Sequence, residues 1–268
     1  MSSSTSSGAR STAAKPVAPP GSQPVLRAQH LSKSYHSPVL RDLDVGIEPG
    51  QFVAIMGPSG SGKSTLLHCL SGMDRPSAGS VLLGDTEITT MSEKELAALR
   101  LTRFGFVFQQ AHLMTTLCLL DNIVLPGFLA GLRPRPEITA RGEELMESMG
   151  IADLAASGVT EVSGGQLQRA GICRALINDP GIVFADEPTG ALNSTTALQI
   201  LDLLGQVHAS GTTLVMVTHD AQVAARADRV LVLVDGRIEE DLALGRYREA
   251  EAPSRLTTVT EALQRRSV

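Results

Sequence analysis

Glycines, hydroxyls and one lysine stand together in Gly57-Pro58-Ser59-Gly60-Ser61-Gly62-Lys63-Ser64-Thr65, a grouping suited to holding a polyphosphate. Glycines at 57, 60 and 62 let successive backbone N–H groups turn inward. A helix beginning just after them would add its positive end, so the loop can form an anion nest. Lys63 is then placed to reach terminal phosphates, and the Ser64 hydroxyl to ligate Mg²⁺. The flanks agree with this reading. Gln51-Phe52-Val53-Ala54-Ile55-Met56 is short and apolar, as a buried strand should be, and residues 64–70 continue as a helix. A flexible Gly/Ser linker is the competing reading, but a linker needs no Lys-Ser pair at a fixed place between strand and helix.

Four further places carry polar groups where a strand or loop ends. Phe104-Gly105-Phe106-Val107-Phe108 reads as a strand that stops at Gln109, whose neutral amide suits a metal or a water. Gly181-Ile182-Val183-Phe184-Ala185 reads as a buried parallel strand ending in Asp186-Glu187. Carboxylates there fit the ligand edge of an open α/β sheet, with Asp186 on the metal side and Glu187 as a base for water. A plain loop with two acids is the alternative. A strand over residues 212–218 ends at His219; a lone histidine is usually structural, but this one closes a third strand of the same kind. Ser163-Gly164-Gly165-Gln166 opens a helical stretch, where Ser163 serves either as a simple N-cap or as part of a second phosphate-binding helix start. Tyr35 is equally open between stacking on a purine and half-burial in a loop.

The elements that must position these groups fill a chain of 268 residues, which suits one large domain or one domain with a sizeable insertion. Residues 1–24 are Ser, Thr, Ala, Pro and Gly with almost no large apolar side chain; they read as a disordered tail in preference to a transit peptide. Short strands over 25–28 and 40–47 lead to the glycine loop. Ser92-Glu93-Lys94-Glu95 is a capping-box signature for a helix to about residue 101. From 117 to 150 the pattern is helical, with breaks expected at Leu125-Pro126-Gly127 and at 134–136. This marks an inserted helical subdomain. Residues 193–209 read as a helix, 229–234 as a strand closing at Asp235-Gly236, and a short helix is expected near 257–265.

Composition limits the partners. A formal charge of −5 gives no polyanion-seeking surface, so nucleic acid is disfavoured. Three cysteines, Cys69, Cys118 and Cys173, without metal-ligand spacing read as core hydrophobes in a reducing compartment. Without an apolar run of membrane-spanning length or a signal peptide, a cytoplasmic protein is expected.

The order of the glycine loop, Gln109, Ser163-Gly164-Gly165-Gln166, Asp186-Glu187 and His219 resembles an ATP-binding cassette (ABC) ATPase over residues 25–239, with 240–268 as an extension. The resemblance implies an α/β P-loop NTPase core with a mainly parallel sheet, an antiparallel β subdomain and a helical subdomain at about 110–172. It implies ATP as substrate and Mg²⁺ held by Ser64, Gln109 and Asp186. Tyr35 becomes the adenine-stacking aromatic, Glu187 the catalytic base, and His219 the γ-phosphate switch. Residues 163–166 would serve the nucleotide of a second copy, in a head-to-tail homodimer. Finer matches, Gly105-Phe106-Val107-Phe108-Gln109, Asp121-Asn122-Ile123-Val124-Leu125-Pro126 and Ala185-Asp186-Glu187-Pro188-Thr189-Gly190, resemble the macrolide-export and lipoprotein-release ATPases, whose permeases are FtsX-like. The implied function is to power a separate FtsX-like permease from the inner face of the membrane, its coupling helix docking near residues 113–120. Driving such a partner mechanically without moving a solute is the alternative; a soluble cassette protein acting on DNA or ribosomes is disfavoured. Two departures stand out. Val162 replaces the usual Leu before the Ser-Gly-Gly-Gln signature, and Asn193 replaces an Asp.

Overall fold

The computed structural model describes residues 25–266. The tail expected over residues 1–24 lies outside them. In chain order the strands are β1 (Leu26–Ser34), β2 (Pro38–Ile47), β3 (Phe52–Met56), β4 (Ala78–Leu83), β5 (Thr86–Glu87), β6 (Phe104–Phe108), β7 (Ile182–Asp186), β8 (Thr213–Val217), β9 (Arg229–Val234) and β10 (Arg237–Ala243). The helices are α1 (Lys63–Leu70), α2 (Glu93–Arg103), α3 (Leu119–Ala130), α4 (Arg135–Ser148), α5 (Gly164–Leu176), α6 (Ser194–Ala209), α7 (Ala221–Ala224) and α8 (Ala252–Arg266).

Two sheets result. One is antiparallel, in the order β2-β1-β4-β5; the other runs β10-β9-β3-β8-β7-β6. The second is parallel from β9 to β6, with β10 antiparallel on β9 as its hairpin partner. Asp235 and Gly236, both at positive φ, make that hairpin's turn, the backbone that a tight two-residue connection requires.

The central strands are apolar throughout because both sheet faces are covered. Their side chains alternate between two cores. Val53, Ile55, Phe184, Val215 and Val217 face a layer made by α1 and the antiparallel sheet, including Leu26, Leu40, Leu66 and Leu70. Ala54, Met56, Val183, Ala185, Leu214 and Met216 face the opposite layer, which receives Ile123, Ile172, Cys173, Ile200 and Leu204 from the helices beyond. The parallel core, antiparallel sheet and helical layer expected above are thus all present.

Two expectations change. Instead of breaking at residues 125–127, α3 runs through Pro126 to a left-handed Gly131. Burial of Ile123, Val124 and Gly127 holds the turns around the proline, and Asn178 Nδ2 donates to the Pro126 carbonyl at 3.2 Å; packing here outweighs a local helix breaker. At the other end, ordered structure continues past residue 239. β10 extends to Ala243, and α8 begins at Ala252, earlier than expected, with Val259 and Ala262 fully buried. Arg255 in α8 is buried because its guanidinium donates to the carbonyls of Ala225, Ala227, Leu244 and Gly245.

Candidate functional site

β3, β8, β7 and β6 are neighbours and point the same way, so the segments that follow them gather along one sheet edge. These are the glycine loop, His219, Asp186-Glu187 and Gln109. A cavity of about 550 Å³ opens there, lined by Gly57, Gly60, Lys63, Ser64, Glu187 and His219 among others. Ser59, Gly62, Thr65 and Val39 complete its wall.

The loop's shape depends on glycine at two positions. Gly57 has φ 144°, and a Cβ there would sit 1.9 Å from the Leu233 carbonyl oxygen. Gly62, at φ 102°, occupies the cap position of α1 without any side-chain bond, leaving the first N–H groups of that helix facing the cavity. Ser61 is turned inward and buried, and Gly236 N–H donates to its carbonyl. Lys63 Nζ donates to the carbonyls of Gly57 at 3.0 Å and Pro58 at 2.7 Å. Burial lowers its pKa, against the pull of the Glu187 and Asp186 carboxylates, and a further anion close by would favour the charged ammonium.

Beside the loop, Ser64 Oγ donates to Asp186 Oδ1 at 3.1 Å. Burial raises the Asp186 carboxyl above its ordinary range, against this bond and against His68, whose Nε2 lies 4.0 Å away. A hydroxyl and a carboxylate converging in this way form a hard-oxygen pair that suits Mg²⁺. Glu187 follows at φ 47°, a left-handed conformation that L-residues avoid. Its N–H donates to Val217 and its carbonyl accepts from Gly190 N–H. The turn swings its carboxylate out, and Oε2 meets His219 Nδ1 at 2.9 Å. Gln109 joins them: a Cβ on Gly190 would lie 3.0 Å from Gln109 Nε2 and 3.2 Å from Glu187 Oε2.

Other expected residues stand apart. Tyr35 is exposed, its hydroxyl bound to Asp74 and its ring 4.7 Å from Lys33 Nζ; it does not line the cavity. Nor do residues 163–166. Ser163 caps α5 in a capping box, accepting from Gln166 N–H at 3.4 Å while its own N–H donates to Gln166 Oε1 at 2.8 Å. Gly165 lets α6 approach, since a Cβ there would meet Thr196 Cγ2 at 2.5 Å. Asn193 caps α6, its Oδ1 accepting from Thr196 N–H at 2.9 Å.

Two residues escaped sequence reasoning. Val39 is an ordinary apolar strand residue, with no local signal. Gln168 sits on the buried face of α5 and donates to the carbonyls of Phe108 and Pro188, both at 2.8 Å; a polar residue at a core position of that helix was the available clue.

Comparison with known proteins shows the family and the fold. Residues 40–190 match the family model described as "ABC transporter". The macrolide export ATP-binding/permease protein MacB of Rhodopseudomonas palustris (strain BisB18) is 46% identical over 218 residues, 81% of this chain and 33% of that protein. MacB 1/2 of Paracoccus denitrificans is 44% identical over 227 residues, 83% of this chain and 34% of its own length. The chain therefore spans about a third of the length of these curated relatives. Among solved structures, the dimeric post-hydrolysis ATP-binding cassette MJ0796 bound to ADP and Pi shares 34% identity, with a TM-score of 0.74, over 83% of this chain and all of that one. The cbiO1 protein of Clostridium perfringens, part of the cbiONQ complex, shares 27% identity with a TM-score of 0.76, over 91% of this chain and 97% of its own.

Proposed function

Because the chain belongs to the ABC transporter family of ATP-binding cassettes, we propose that it binds and hydrolyses ATP to power a separate FtsX-like membrane permease that exports or extracts a drug, peptide or lipid-linked substrate. One observation carries the reading: the glycine loop, Glu187 and His219 line a single sheet-edge cavity, with Asp186 bonded to the loop's Ser64, although they are spread from residue 57 to residue 219.

The glycine loop and the start of α1 hold the phosphates through backbone N–H groups. Lys63 exchanges its bonds to the Gly57 and Pro58 carbonyls for phosphate oxygens, which offsets the cost of its burial. Ser64 and Asp186, with Gln109, would hold Mg²⁺, which would neutralise charge on the phosphates. Glu187 orients a water and takes its proton as the water oxygen attacks the γ-phosphorus and the bond to the β-phosphate oxygen breaks. His219, beside Glu187, contacts the γ-phosphate. Tyr35, exposed and outside the cavity lining, stacks on the adenine.

Residues 163–166 serve the ATP of a second copy in a head-to-tail homodimer. Two points support this: they lie outside the cavity of their own chain, and the MJ0796 cassette is described as dimeric.

A groove of about 470 Å³ beside Gln109, lined by Met73, Leu101, Phe106, Phe108, Pro126 and Arg174, suits an amphipathic helix of the permease. Of the segment first expected to dock it, Leu113, Leu119 and Leu120 pack toward the core while Met114 is exposed. Among the described residues no helix is long and apolar enough to cross a membrane. We place the protein at the inner face of the membrane through this groove.

The test is co-expression with an FtsX-like permease, followed by membrane recruitment and ATP-hydrolysis assays. Recruitment with Lys63-dependent hydrolysis is expected. Absence of ATP binding by calorimetry would overturn the reading.

A further inference from the structure

We propose that Gln168 is a positioning residue that sets the distance between Gln109 and Glu187 and carries movement of α5 to both. The inference rests on the ATPase reading above and assigns a new part in that same site.

The last ladder pair between β6 and β7 is Phe108 with Asp186. Beyond it the two chains diverge, one into Gln109 and the other into Glu187, and no strand pairing fixes their separation. The side-chain amide of Gln168 spans this gap. Both of its hydrogens are used: Nε2 donates at 2.8 Å to the carbonyl of Phe108, directly before Gln109, and at 2.8 Å to that of Pro188, directly after Glu187. A single NH₂ group thus adds one more rung to the sheet, supplied by a helix.

Burying a side-chain amide is unfavourable unless it is fully bonded. Gln168 is 2% exposed, on a helix whose neighbouring buried positions are Ala170, Gly171, Ile172 and Cys173. An apolar residue would pack there but would leave two buried carbonyls without these donors, an unfavourable exchange.

The same helix grips the rest of the Gln109 loop. A Cβ on Gly171 would touch Ala111 Cβ at 3.3 Å, and the Arg174 guanidinium donates to the carbonyls of Ala111 and His112. Residues 108–112 therefore travel with α5. Since α5 begins at the Ser163-Gly164-Gly165-Gln166 site, displacement of that site moves Gln109. Gln168 passes the displacement to the Glu187 turn as well.

The experiment is steady-state ATP hydrolysis and equilibrium ATP binding for the wild type, Gln168→Leu and Gln168→Glu. Leu fills the space without donating, and Glu keeps the length but presents oxygens to the two carbonyls. Expected is a fall in kcat of roughly ten- to a hundredfold, the scale of a small misplacement of reacting groups, with KM and ATP affinity within about twofold of wild type. Folded variants with wild-type kcat would overturn the proposal. So would equal losses of kcat, affinity and thermal stability, since Gln168 would then be a packing residue alone.

If neither variant folds, the wild-type side-chain amide decides by NMR. Both of its hydrogens should be protected from exchange, and its resonances should shift when a non-hydrolysable ATP analogue is added. An unresponsive amide overturns the inference. Lack of hydrolysis by the wild type counts instead against the ATPase reading.

Discussion

At the scale of single residues, the site rests on groups held in unfavourable states. Glu187 keeps a left-handed backbone and Asp186 a raised carboxyl pKa, the kind of local cost that functional sites retain. Replacing Glu187 by Gln should leave ATP binding intact and lower hydrolysis more than about tenfold, since a general base contributes on the order of 10²- to 10⁴-fold; a rate assay beside nucleotide-binding calorimetry checks this. Asp228 is perturbed in the opposite direction. Its partial burial acts to raise the pKa, but His208 and the Phe52 N–H outweigh it and hold the carboxyl below its ordinary range. A depressed folded-state pKa means that the ionised form stabilises the fold above the ordinary carboxylate pKa, and that this is lost as pH falls through the folded value. Thermal melts of wild type and Asp228→Asn should therefore differ most near neutrality and converge below about pH 4. Lys63 and Glu187 were legible because their neighbours in sequence announce them. Asp228, Val39 and Gln168 were not, because their partners lie far along the chain.

At the scale of elements, the helix starts with a side-chain cap were read well, the start of α8 and the break at Pro126 less so. The capping box at Ser92 and the caps at Ser163 and Asn193 are present because each bonds within three residues, a relation that sequence displays directly. Pro126 misled because what keeps α3 intact is packing from α4 and from Asn178. α8 began before its expected start because the signal for it was spread between an exposed face and two small buried positions. Asn193 tests whether a cap can also be a coupling element. Asn and Asp cap about equally well, so Asn193→Asp should keep the melting temperature and the ATP affinity. If the position lies at a subunit interface, the added charge should alter the Hill slope of hydrolysis against ATP concentration, because coupling between sites is a free energy of its own. Superimposable curves would leave Asn193 a cap and nothing more.

At the scale of the whole molecule, one chain presents the candidate phosphate cavity and, elsewhere, a capped helix start that does not line it. Mixing Lys63→Ala with Ser163→Arg should restore hydrolysis, because heterodimers then combine one doubly damaged site with one intact site; demonstrated heterodimers without recovered activity would count against shared sites. The sheet order has a further consequence, which concerns synthesis. β8 lies between β3 and β7 yet follows β3 by roughly 160 residues. A ribosome adding about 5 to 20 residues per second needs on the order of 8 to 30 s to deliver it. During that interval β3 has no partner on that side; Val53 and Ile55 can be covered by the antiparallel sheet and α1, but Phe52, Ala54 and Met56 face a layer of helices made later and need a chaperone to shield them. Slowing translation between codons 57 and 212 should lengthen this exposure and raise the share of nascent chains that aggregate, whereas the same delay placed before codon 50, when β3 is not yet made, should leave the yield unchanged.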